Sequence, residues 1–168
     1  MSNQYSSRSN SFASALKQKS AVQSFLDISS WKNPVAITLT MKQAEVIDRT
    51  FVDLTPGLCS QNLRHFRNVL NRKAFKNASH KLKMKCVAVL EQSADGRYHY
   101  HLALDRPECF SDLRFRLMVN WVWRNTHWGR EQTAYESPAD QGWISYMAKL
   151  KTKPSYLDAF DWENCHLG

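Results

Sequence analysis

The chain has 168 residues and a net charge of +8, with 43% hydrophobic and 12% aromatic residues. That length and apolar content suit one domain with a core of its own and exclude a wholly disordered chain. Five Gly and five Pro exclude collagen-like architecture, and no run of apolar residues is long enough for a membrane-spanning helix. The first twenty residues lack the apolar centre of a secretory signal, which predicts an intracellular, non-secreted protein with no membrane partner. The four cysteines, Cys59, Cys86, Cys109 and Cys165, form no CxxC pair, so they predict reduced thiols rather than a zinc ribbon.

Residues 1–30 read as a Ser- and Asn-rich tail with a short helix near 13–28, anchored by Ala15, Val22 and Phe25. Residues 31–168 read as one domain. Within it, Val35, Ile37, Leu39 and Met41 alternate with Ala36, Thr38, Thr40 and Lys42, which predicts a strand. Pro56-Gly57 reads as a loop, followed by a helix over 60–76 with Ser60 as N-cap and Leu63, Phe66, Leu70 and Ala74 on one face. Strands are predicted over 82–92 and 98–105, joined at Asp95-Gly96. A helix over 110–125, a strand over 130–136 and a helix over 139–152 complete the order. The pattern predicts an α+β domain: an antiparallel sheet with helices packed on one face.

The surplus charge is local. Residues 61–85 contain Arg64, Arg67, Arg72, Lys73, Lys76, Lys81, Lys83 and Lys85 and no acid. Such a patch predicts a polyanionic partner. It could follow a DNA backbone, or lie behind the sheet and bind duplex flanks or another partner.

The stretch Tyr98-His99-Tyr100-His101 carries the chemistry. On a strand, Tyr98, Tyr100, Leu102 and Leu104 share one face, and His99, His101, Ala103 and Asp105 share the other. Two parallel imidazoles can reach one divalent cation. A three-residue loop, Ala94-Asp95-Gly96, sets Glu91 opposite His99 and completes a two-His, one-carboxylate set. A two-residue Asp95-Gly96 turn sets Glu91 opposite Tyr100 instead, on the wrong face. The set suits Mn²⁺ or Mg²⁺ as a Lewis acid, with zinc a further option.

In the last helix, Trp143, Ile144, Met147 and Leu150 form the apolar arc, and Tyr146 sits at its border. Lys149 is three residues on and shares the tyrosine's face. A phenol beside a metal can attack a phosphodiester.

The ITLT strand (37–40), the His-hydrophobic-His set His99-Tyr100-His101 and Tyr146-x-x-Lys149, in that order, resemble the HUH endonucleases. Within them the chain is similar to the single-tyrosine replication initiators of plasmids, phages and small DNA viruses. The resemblance implies a sheet of about five strands, ferredoxin-like or RRM-like. It implies a metal held by His99, His101 and Glu91, and a nucleophile, Tyr146, accompanied by Lys149. It implies nicking of single-stranded origin DNA, with Tyr146 joined to the 5′-phosphate and a free 3′-hydroxyl to prime rolling-circle replication. Arg64, Arg67, Arg72 and Lys73, joined by Lys151 and Lys153, are candidate DNA contacts. No GxxxxGK[ST] loop is present in the sequence, which points to a helicase acting in trans. Two alternatives stand beside this reading. One is a single-tyrosine HUH transposase. The other is a non-catalytic binder that stacks bases on Tyr98 and Tyr100.

Overall fold

The computed structural model describes residues 17, 20–147, 158 and 160–168. Its main sheet has four strands in the order β4-β5-β1-β6. These are β1 (Pro34–Met41), β4 (Cys86–Gln92), β5 (Tyr98–Asp105) and β6 (Gly129–Glu136). Every pairing is antiparallel. Beyond β4 the C-terminal segment makes two isolated bridges, Cys86 with His166 and Val89 with Phe160, and so takes a fifth position at that edge. The α+β antiparallel architecture expected from the sequence is therefore present.

A separate hairpin, β2 (Ala44–Ile47) and β3 (Thr50–Asp53), fills the stretch that the sequence reading leaves unassigned. Its turn residues, Asp48 and Arg49, sit at φ 48° and 64°. Such left-handed turns usually draw Gly or Asn, and neither is present to announce it.

Helix α1 spans Pro56–Phe75, earlier than the expected start at 60. Thr55 is its N-cap: the hydroxyl accepts from the Leu58 N–H at 3.3 Å. Pro56 opens the first turn, where its missing N–H costs nothing. The predicted Pro-Gly loop is thus the helix start, and Ser60 is not a cap but bonds to Asp161 at 3.1 Å. Helix α2 spans Asp112–Arg124, capped by Ser111. Both helices pack on one face of the sheet. There Leu63, Phe66 and Leu70 of α1 and Phe115, Val119 and Trp123 of α2 meet Ile37, Leu39, Tyr100 and Leu102. Phe66 and Trp123 meet edge to face at 5.4 Å. Each such side chain contributes on the order of 1.5–3 kcal/mol by leaving water.

The other face is not bare. Ala36, Val87, Val89 and Ala103 form a second, smaller cluster with Val22, Leu26, Ile28 and Trp31 and with Ile144 and Met147. Ile144 and Met147 belong to helix α3, described over Gln141–Met147. Residues 20–25 are helical, and Val22 is buried as expected. Phe25, the other described anchor of that reading, is 66% exposed; Leu26 takes its place in the cluster. Among the described residues, no helix is long and apolar enough to cross a membrane.

Candidate metal centre and tyrosine

The hairpin between β4 and β5 decides the site. Ser93 pairs with Arg97 through the Ser93 N–H at 2.9 Å, and the Gly96 N–H donates to the Ser93 carbonyl at 2.9 Å. Gly96 has φ 82°, a conformation that costs glycine little. The loop is therefore the three-residue form, Ala94-Asp95-Gly96. Glu91 falls opposite His99, and Val89 opposite His101. The alternation then brings Glu91, His99 and His101 to one face.

Their ligand atoms lie within 4.8 Å of one another. Glu91 Oε2 is 3.1 Å from His101 Nε2 and 3.9 Å from His99 Nε2. The two imidazoles stand edge to face at 4.9 Å. All three side chains are largely shielded from water, His101 most of all at 6% exposure. A shielded carboxylate needs positive charge beside it. A protonated imidazole can supply that charge, and so can a divalent cation. Two nitrogens and one oxygen, converging, are a donor set that fits such a cation.

One residue in this site went unnoticed in the sequence. Thr38 lies opposite His101 on β1, and its Oγ1 is 3.0 Å from His101 Nδ1. A hydroxyl both donates and accepts, so it serves either imidazole tautomer. With Nε2 free to ligate, the proton sits on Nδ1 and donates to Thr38. The signal was available: Thr38 is on the histidine face of the strand by simple alternation.

Tyr146 of α3 is half-buried, as its border position predicts. Its ring centroid is 5.4 Å from that of His101. Trp143 stacks on it at 5.3 Å and 20°. Trp143 is itself fixed, because its Nε1–H donates to the Leu102 carbonyl at 3.0 Å. It also meets His101 edge to face at 5.5 Å. The sequence reading placed Trp143 on the apolar arc and missed that it orients the tyrosine. Asp140 starts the helix, with Oδ1 accepting from the Trp143 N–H at 3.1 Å. Lys149, Lys151 and Lys153, and Leu150 of the predicted arc, lie outside the described residues.

The basic residues of α1 are elsewhere. Arg64, Arg67, Arg72 and Lys73 sit on the helix that covers the opposite face of the sheet. Arg64 pairs with Glu163. Lys73 Nζ lies 4.2 Å from the Trp121 ring centroid. Arg67 is half-buried and Arg72 exposed. The structure does not bring these four to the histidines. The cysteines of the core are far from reactive: burial pushes the Cys59 and Cys86 thiols up to about 12.

Fold and site together define an α+β protein with a candidate metal-binding triad and a tyrosine packed against it. A family model described as a replication-associated protein of the ORF2 type matches residues 34–155, and the chain belongs to this family of rolling-circle replication initiators. No curated protein and no solved structure matches it.

Proposed function

We propose that the protein nicks single-stranded origin DNA through Tyr146 and so starts rolling-circle replication. The observation that carries this reading is the packing of Tyr146 on His101, a member of the Glu91, His99 and His101 triad. Tyr146 Oη forms a bond to phosphorus, and the bond from phosphorus to the 3′-oxygen breaks. The phenol gives up its proton, and the departing 3′-oxygen takes one up. The product is a 5′-phosphotyrosine and a free 3′-hydroxyl. That bond keeps the energy of the phosphodiester for later rejoining. Mn²⁺ or Mg²⁺ held by Glu91, His99 and His101 would supply Lewis-acid polarisation of the phosphate. Trp143 and His101 confine the tyrosine ring from two sides, which limits its approach to the phosphate to a narrow range of directions.

Membership of a replication-associated family supports an initiator over a transposase. A base-stacking platform of Tyr98 and Tyr100 finds no support, because Tyr100 is fully buried. The α1 cations face away from the tyrosine, which favours contact with flanking duplex over contact with the cut strand.

The test is mass spectrometry of the protein after incubation with single-stranded DNA and Mn²⁺. The expected result is a nucleotide adduct on the peptide that contains Tyr146, absent from Tyr146→Phe. A Tyr146→Phe protein that still forms the adduct overturns the reading.

A further inference from the structure

Beyond His99, the histidine face opens into a cavity of about 560 Å³. Its walls include Lys42, Tyr98, His99, Arg130 and Glu131, with Arg97 at the hairpin. His99 therefore belongs to both the triad and the cavity.

Strand register accounts for the cations. Thr40 lies opposite His99. Two residues further on, on the same face by alternation, come Lys42 on one chain segment and Arg97 on the other. Neighbouring β6 adds Arg130. Gln43 holds the floor in shape. Its amide oxygen accepts from the Tyr98 N–H at 2.8 Å, and its amide nitrogen donates to the Tyr98 carbonyl at 3.1 Å. The side chain thus imitates one more ladder pair where β1 has ended.

The three cations are available. Lys42 pairs with Glu45 and Arg97 with Asp95, each at 3.3 Å, and all four side chains are substantially exposed. Such surface pairs exchange partners at little cost. Arg130 is exposed and has no side-chain partner among the described residues. Against them the cavity wall sets one carboxylate, Glu131.

We propose that this cavity seats the nucleotide immediately 5′ of the cut, the one left with the free 3′-hydroxyl, and that Arg97, Arg130 and Lys42 hold its phosphate. This rests on the nicking reading above. In an in-line displacement the leaving oxygen departs opposite the nucleophile. Tyr146 lies against His101. The order along the face is Tyr146, His101, His99, cavity. The departing 3′-oxygen and its nucleotide are therefore on the cavity side. The volume falls in the range of sites for single small ligands, so it suits one unpaired nucleotide rather than a duplex. The guanidinium groups offer forked donors for a phosphate, and the half-buried Tyr98 offers a ring to the base.

Two measurements test this. The first is fluorescence anisotropy with labelled oligothymidylate of about ten nucleotides, a length within the usual single-strand site size. Arg97→Ala with Arg130→Ala should weaken binding roughly tenfold and flatten the salt slope by about 1.4. Lys32→Ala with Arg124→Ala removes the same charge elsewhere and should change binding less than about twofold. Wild-type affinity in the cavity variant, or an equal loss in the control, overturns the proposal. The second uses a strand whose cut has been mapped from the adduct. A methylphosphonate one step 5′ of the cut should raise KM for adduct formation in the wild type and add nothing in the double arginine variant. The same dependence on a phosphate 3′ of the cut overturns the assignment. If no strand is cut, the nicking reading fails, and anisotropy still decides whether the cavity holds nucleotides.

Discussion

Tyr100 and Tyr146 lie against opposite faces of one strand. Tyr100 stands between the two histidines in sequence, yet its ring points away from them into the larger core and is fully buried. Its hydroxyl donates to Asp161 at 2.7 Å. Burial and the nearby Asp161 carboxylate push its pKa well above the ordinary phenol range. Tyr146 is far away in sequence, half-exposed, and packed on His101. The difference teaches that the face of the strand, and not sequence proximity to the histidines, selects the phenol that can react. The same holds for whole faces. The one under α1 and α2 is a broad apolar core. The other pairs a small apolar cluster with two imidazoles, a carboxylate and a cavity.

Removing the polar set from the second face should have the largest effect. His99→Ala with His101→Ala takes away two of the three candidate ligands. Nicking should fall by at least about 10³-fold, the loss of several kcal/mol of charge stabilisation at the phosphate. Binding of single-stranded DNA at low salt should largely persist, because cations on the chain supply it. Gel analysis of the covalent product reads the first effect and anisotropy the second. A double variant that nicks normally would break the contrast between the faces.

A smaller change sharpens it. Thr38→Val keeps the shape of the side chain and removes the hydroxyl 3.0 Å from His101 Nδ1. Partners that orient a ligating imidazole are worth about 10–100-fold in metal affinity. Calorimetric titration with Mn²⁺ should show a loss in that range, and Thr38→Ser should restore most of it. Equal loss in Thr38→Ser would make Thr38 a packing residue only.

How far the sequence revealed these faces follows from the range of the interactions. Period-two alternation fixed β1 and β5, and with them the face of His99 and His101. The loop length was open between two registers, and Gly96 at φ 82° is what sets Glu91 opposite His99. The triad was thus legible from local patterns plus one turn. The missed features are long-range. Nothing near Trp143 in the chain reports that it donates to Leu102 and stacks beside His101. Nothing near Gln43 reports that its amide closes on Tyr98. The burial of Leu26, Ile28 and Trp31 on the histidine face depends on strands distant in sequence. The start of α1 was misjudged for a local reason: Pro56 was read as a breaker when Thr55 makes it an opener.

The smallest expected effect comes from the first face. Tyr100→Phe deletes one hydroxyl and keeps the buried ring. Asp161 loses that donor, but Asn164 still reaches the same oxygen at 2.9 Å and Ser60 the other at 3.1 Å. A hydrogen bond removed while its acceptor keeps other donors costs about 1 kcal/mol. The urea midpoint should therefore fall slightly with an unchanged slope. Adduct formation should stay at the wild-type rate, because the ring of Phe holds the strand where Tyr100 held it. If Tyr100→Phe remained folded and lost the adduct, the phenol on the core face would be taking part. The division between a structural tyrosine and a reactive one would then be wrong. Run beside Tyr146→Phe under the same conditions, the pair of variants differs only in which side of the strand loses its oxygen.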